Sequence, residues 1–97
     1  MGKYILSQKS QNDIESIYEY GNYRFGKVMA FNYLIELKSC FEILADNPKM
    51  GKERYEIKQG LYSFPFVSHL IFYRILQNSI RIVRVLYGSR DLQKFFK

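Results

Sequence analysis

His69-Leu70-Ile71-Phe72-Tyr73-Arg74-Ile75-Leu76, then Gln77-Asn78-Ser79, then Ile80-Arg81-Ile82-Val83-Arg84-Val85-Leu86-Tyr87 is the stretch that decides the fold. Both apolar runs are rich in β-branched and aromatic residues, which suit a pleated and half-buried surface, and the short polar link between them is a hairpin turn signal. Read with strict alternation, Ile80, Ile82 and Leu86 point one way with Arg84, while Val83, Val85 and Tyr87 point the other way with Arg81. The sheet is then apolar on both faces, so each face needs a cover: another layer of the chain or a partner.

Upstream, Gly60-Leu61-Tyr62-Ser63-Phe64-Pro65-Phe66 reads as a third strand. Pro65 has no N–H to give to a ladder, which places this strand at an edge or bulge. Before it the apolar period changes from two to 3.6. Ser10, Ile14, Ile17 and Gly21 form one stripe of a helix over about 8–23, with Ser7 or Ser10 as its cap and with Asp13, Glu15, Ser16 and Glu19 turned to water. Two glycines break the pattern at Gly21–Gly26, and a second helix runs to Pro48. Its stripe of Ala30, Leu34, Leu37, Phe41 and Leu44 is widened by Met29, Tyr33, Cys40 and Ile43, and that breadth predicts burial against a large apolar surface. The residue before a proline avoids helical geometry, so the helix stops at Asp46-Asn47-Pro48. Lys49, Lys52, Arg54 and Lys58 read as a mobile charged connection, and Tyr4-Ile5-Leu6-Ser7 as a first strand. After Gly88 the tail can form a short helix with Leu92, Phe95 and Phe96 on its apolar side, docked on the core or displayed to a partner.

The expectation is one α+β domain over 1–97, in which an N-terminal strand and a two-helix hairpin pack on an antiparallel sheet. At 47% hydrophobic and 18% aromatic the chain is too apolar to be disordered. Its net charge of +6 is unevenly placed: residues 1–48 carry five basic and six acidic side chains (net −1), and residues 49–97 carry ten and three (net +7). A basic half attracts an acidic protein or a polyanion. One cysteine and one histidine make no disulfide and no zinc set, so neither metal nor cofactor is expected. No apolar run approaches a signal or spanning segment, which points to the cytoplasm and away from membranes.

Strand, helix hairpin and antiparallel sheet, in this order, resemble the RelE/ParE toxin superfamily, and particular positions resemble its ParE branch. Tyr4-Ile5-Leu6-Ser7 with Asp13-Ile14, Ile17 and Tyr20 is similar to that branch's opening strand and first helix. Phe25-Gly26, Ala30, Tyr33, Leu37, Leu44-Ala45 and Pro48-x-x-Gly51 are similar to its second helix and exit loop. Gly60-Leu61, Ser63-Phe64, His69 to Arg74, Arg84-Val85-Leu86 and Asp91-Leu92 complete a likeness that covers nearly the whole chain. The resemblance implies the toxin of a type II toxin–antitoxin module, held in a hetero-oligomer by a ParD-like antitoxin that wraps its groove and sheet. It also implies that the toxin inhibits DNA gyrase by binding, with no catalysis of its own.

The RelE branch instead cleaves mRNA on the ribosome. Attack by a 2′-OH requires a base, a cation for the phosphorane and an acid for the leaving oxygen. Where that branch places Lys or Arg, Leu61-Tyr62-Ser63-Phe64-Pro65-Phe66 has no basic residue, and His69 stands near the position of an Arg. Arg90 does resemble an Arg of the nucleases, so this alternative stays in view. His69 reads as either an acid–base group or a polar residue at a strand start, and Cys40 as core. Candidate contacts for an antitoxin or target are Phe64, Phe66, Phe72, Arg74, Arg81, Arg84, Tyr87, Arg90, Lys94 and Phe96. Because the basic half is the sheet and tail, an acidic antitoxin and a protein target rank ahead of nucleic acid.

Overall fold

In a computed structural model of the chain, which describes residues 2–88 and 92–96, strand β1 (Lys3–Leu6) leads into helices α1 (Gln8–Phe25) and α2 (Lys27–Asp46). Strands β2 (Lys52–Glu53), β3 (Leu61–Phe66), β4 (His69–Ile75) and β5 (Ser79–Tyr87) follow, and a 3-10 helix (Leu92–Phe96) comes last. The strands make one five-stranded sheet in the order β1-β5-β4-β3-β2. β1 lies parallel to β5 and all other pairs are antiparallel, so the sheet is mixed, and the first strand pairs with the last.

Ser7 caps α1: its side chain accepts the Ser10 N–H at 3.0 Å and its hydroxyl donates to the Val83 carbonyl at 2.8 Å. The helix runs through Gly21, which sits against Ala30 of α2, and the interhelical turn is the single residue Gly26. Its φ of 90° is a conformation that side chains other than glycine's resist. One corner therefore does what a six-residue break is expected to do, and the hairpin is tighter than its sequence suggests. The two helices cover one face of the sheet, where Leu37, Phe41, Leu44, Ile71, Tyr73, Ile80, Ile82 and Val85 form the main core.

Strict alternation fails in β5. Phe72 pairs with Arg84 and Tyr73 with Ile82, so Val83 is an extra residue, a β-bulge. The bulge puts Val85 with Ile80 and Ile82 in the helix-side core and sends Leu86 to the opposite face, where Val83 also packs. That second face has its own cover. Leu61, Phe72 and Leu86 are buried there beneath Ile57, Leu92, Phe95 and Phe96, so the terminal 3-10 helix is docked and the apolar face is largely closed within the chain.

The connection after α2 is ordered as well. The Tyr73 hydroxyl donates to the Pro48 carbonyl at 2.7 Å and accepts the Gly51 N–H at 3.0 Å, and β2 then adds a short edge to β3. Arg54 donates to Ser63 Oγ at 3.0 Å and pairs with Glu56. β2 pairs only with Tyr62 and Ser63, so Pro65 lies where β3 is an edge, in keeping with its missing N–H.

Candidate functional site

Ion pairing separates the sheet arginines. Arg84 lies on the second face beside α1, and both its Nε and Nη2 reach the Asp13 carboxylate at 2.8 Å. Asp13 also accepts the Val85 N–H at 3.0 Å, so it seals the edge of β5 beyond the end of β1. The pair is only 15% and 13% exposed, and this hydrogen bond holds the Arg84 guanidinium above its ordinary pKa. Arg84 stands over the Phe95 ring at 5.1 Å as well, which ties the terminal helix to the sheet. Asp13 is thus turned inward, against the expectation that it faces water, and Arg84 is engaged inside the fold.

Arg74 and Arg81 behave differently. They face each other in register on β4 and β5, and neither forms an ion pair with another described residue. Arg74 donates from Nη1 to the Gln59 carbonyl at 3.0 Å, and Arg81 is exposed. The same cross-strand row continues to Ile5 on β1, which is 46% exposed, and to the buried Leu61 on β3.

The aromatic candidates divide by face. Phe64 and Phe66 lie on the helix side, half-buried, with Phe66 edge-on to Tyr33 of α2. Phe72 is fully buried with Phe96 packed on it at 4.9 Å, so as a contact residue it is corrected to core, and Phe96 to its half-buried lid. Tyr87 is half-exposed and meets His69 edge-on. Lys94 is exposed, 5.6 Å from the Phe95 ring, and Arg90 lies outside the described residues. His69 Nδ1 and the Tyr33 hydroxyl share a 2.8 Å hydrogen bond, so the histidine ties β4 to α2. Burial pushes the Tyr33 hydroxyl upward, with Glu36 adding to the shift.

A second surface escapes sequence reasoning. Met29 and Ile43, expected to widen the buried stripe of α2, are 61% and 51% exposed, and Val28, Phe31 and Ile35 are exposed on the same helix, as are Tyr23 and Phe25 at the hairpin tip. The signal was the excess breadth of the stripe, which no single packing face can absorb. Exposed apolar side chains gathered in this number on one helix are a feature of docking surfaces. Among the described residues no group of histidine, cysteine and acidic side chains could hold a metal ion.

Residues 4–92 match the family model of the ParE toxin of the type II toxin–antitoxin system parDE. The chain belongs to the ParE toxin family. It is 33% identical over 91 residues to toxin ParE1 of Caulobacter vibrioides, covering 94% of both chains, and 33% identical over 93 residues to toxin ParE1 of Mycobacterium tuberculosis, covering 95% of both. Among solved structures, a chain of the chromosomal ParDE system of P. aeruginosa superposes with a TM-score of 0.77 at 17% identity, over 90% of this chain and 96% of that one. A chain of the E. coli DinJ–YafQ complex follows at 0.51 and 13%, over 95% and 99%. The ParE assignment, the α+β fold and the helix hairpin on the sheet are as the sequence implied; the parallel pairing of β1 is not, and of the two covers the sequence left open for the second face, the chain's own terminal helix is the one found. No helix among the described residues is long and apolar enough to cross a membrane.

Proposed function

We propose that this ParE toxin inhibits DNA gyrase by binding in the cytoplasm and is silenced in a hetero-oligomer with a ParD-like antitoxin. The observation that carries this reading is the family match over residues 4–92, together with toxin ParE1 relatives that align along nearly their full length. Two features support binding without chemistry of its own. His69, the side chain weighed as an acid–base group, is engaged with Tyr33 and so serves the fold. The exposed apolar band on α2 and the hairpin tip supplies protein-docking surface. In the antitoxin complex that band takes the apolar face of an antitoxin helix, in the manner of a helix laid on a hydrophobic groove.

The test is a supercoiling assay with purified gyrase. Micromolar free toxin is expected to abolish supercoiling and leave cleaved DNA, and equimolar antitoxin to restore activity. Normal supercoiling at that concentration overturns the gyrase reading. Codon-phased cleavage of translated mRNA in its place assigns the chain to the ribonuclease branch.

A further inference from the structure

Among the described residues four arginines lie on the sheet's second face or the loop beside it, and the fold neutralises two of them. Arg54 has Glu56 at 2.6 Å and Arg84 has Asp13 at 2.8 Å. Where an arginine serves the architecture, the chain provides it with a carboxylate. Arg74 and Arg81 have none among the described residues, although they stand directly opposite each other on neighbouring strands. Like charges in that position destabilise a sheet. The hydrogen bond from Arg74 to the Gln59 carbonyl fixes the direction of its guanidinium and leaves its charge uncompensated. The terminal helix and the loop that holds Ile57 close the rest of this face, but the row of Ile5, Arg81 and Arg74 is left accessible.

We propose that Arg74 and Arg81 form a seat for one carboxylate, supplied by an acidic side chain of the antitoxin segment that crosses the sheet, with Ile5 receiving an apolar neighbour of that side chain. This rests on the reading that a ParD-like antitoxin is the partner. A guanidinium fork binds carboxylate or phosphate equally well, so the surroundings decide between them. An extended polyanion is held by a track of several cations along its backbone. The strands offer two adjacent guanidiniums, enough for one anion, bordered by exposed Ile5 and buried Leu61. An acidic residue flanked by apolar ones matches that row; the next cation on the same face is Lys3, two residues from Ile5, and the duplex arm of the experiment reads whether it extends the seat to a phosphate backbone.

The proposal makes stability and binding respond with opposite signs. The experiment measures the affinity of the wild-type chain, R74Q, R81Q and R81E for the ParD-type antitoxin encoded beside this toxin, alongside the melting temperature of each free chain. Each Gln variant is expected to bind about tenfold more weakly, and R81E about a hundredfold, as for losing or reversing one charge-assisted contact. The free variants are expected to melt at the wild-type temperature or a few degrees above it, because the cross-strand repulsion is relieved. One Asp or Glu to Lys change in the antitoxin should restore the binding of R81E. Wild-type affinity in R81E overturns the seat, as does a melting temperature that falls in step with affinity. Unchanged antitoxin binding with lost affinity for a 24-base-pair duplex overturns it in favour of nucleic acid. A wild-type chain that fails to bind the antitoxin overturns the partner reading itself, and the seat with it.

Discussion

The Tyr73 hydroxyl accounts for the Pro48-x-x-Gly51 spacing. It donates to the carbonyl of Pro48 and accepts from the N–H of Gly51, so it staples the exit of α2 to the middle of the sheet. A Cβ on residue 51 would stand 2.3 Å from that hydroxyl and 2.9 Å from the Ser63 carbonyl, which is why a glycine stands there. Tyr73→Phe leaves both backbone groups without their partner, and the expected loss is about 1–3 kcal/mol in urea unfolding, with the fold retained. Burial also pushes the pKa of Tyr73 and of the Cys40 thiol upward, Tyr73 against the opposing pull of the Gly51 N–H. For groups raised in the folded state, the stabilising contribution is complete below their unfolded values and is lost as pH rises through the folded ones. Urea midpoints are therefore expected to fall above about pH 9, less steeply in Cys40→Ser. At this scale the sequence was half legible. Ser7 and Gly51 could be singled out from local chemistry, but Asp13 could not, because its partner Arg84 lies 71 residues away and only the tertiary fold turns that side of α1 toward the edge of β5.

Among the elements, the terminal 3-10 helix changes the character of the sheet most. Apolar residues on both faces of β4 and β5 call for a second cover, and Leu92, Phe95 and Phe96 provide it. Phe96 stacks edge-on against fully buried Phe72, and Phe95 lies under the Arg84 guanidinium. Phe96→Ala opens the roof over Phe72, and since Phe96 is half-buried the cost should be about 2 kcal/mol, below that of a fully buried phenylalanine. Dye binding to exposed apolar surface should rise in the same variant, and Lys94→Ala, whose side chain is exposed, should leave both readings unchanged. The helices and every strand but β2 were legible from period alone, to within two residues for most boundaries; β2 falls in the stretch that reads as a mobile charged connection and is fixed by its pairing with β3. The bulge at Val83 was not, because nothing in Ile80 to Tyr87 distinguishes an extra residue from a regular one until the partner strand fixes the register. Without the bulge, Leu86 would share a face with Ile80 and Ile82, and the second core would lack one of its three buried residues.

The whole molecule carries two surfaces of different chemistry on opposite sides of the sheet. On the outer side of the helical hairpin α2 leaves Val28, Phe31 and Ile35 bare among polar residues such as Asn32 and Ser39, and the far side of the sheet shows Arg74 and Arg81 in an excess of positive charge. The division into a −1 half and a +7 half was legible in the sequence, but which cations remain unpaired was not, since that depends on where the acidic residues fold. The shortest principal extent of the particle is 21 Å, and a segment of about fifteen extended residues, about 50 Å long, is long enough to round an edge of it. One antitoxin chain can therefore engage both surfaces, with a helix on the hairpin and a short extended segment on the sheet. The two contacts then obey different physics. Apolar burial is nearly indifferent to moderate salt, while exposed charge pairs weaken as the screening length shrinks from about 10 Å at 0.1 M to about 3 Å at 1 M. Val28→Ser with Phe31→Ser, which removes apolar area without adding charge, is expected to weaken antitoxin binding at least tenfold at every salt concentration, leaving the salt slope of log Kd as in the wild type. Both side chains are exposed, so thermal unfolding of the free chain should move little. Arg81→Gln should show the reverse pattern, with a shallower slope and a defect that shrinks toward 1 M salt. Titrations of both variants from 50 mM to 1 M salt check the assignment, and identical slopes in the two would refute a division of labour between the hairpin and the sheet.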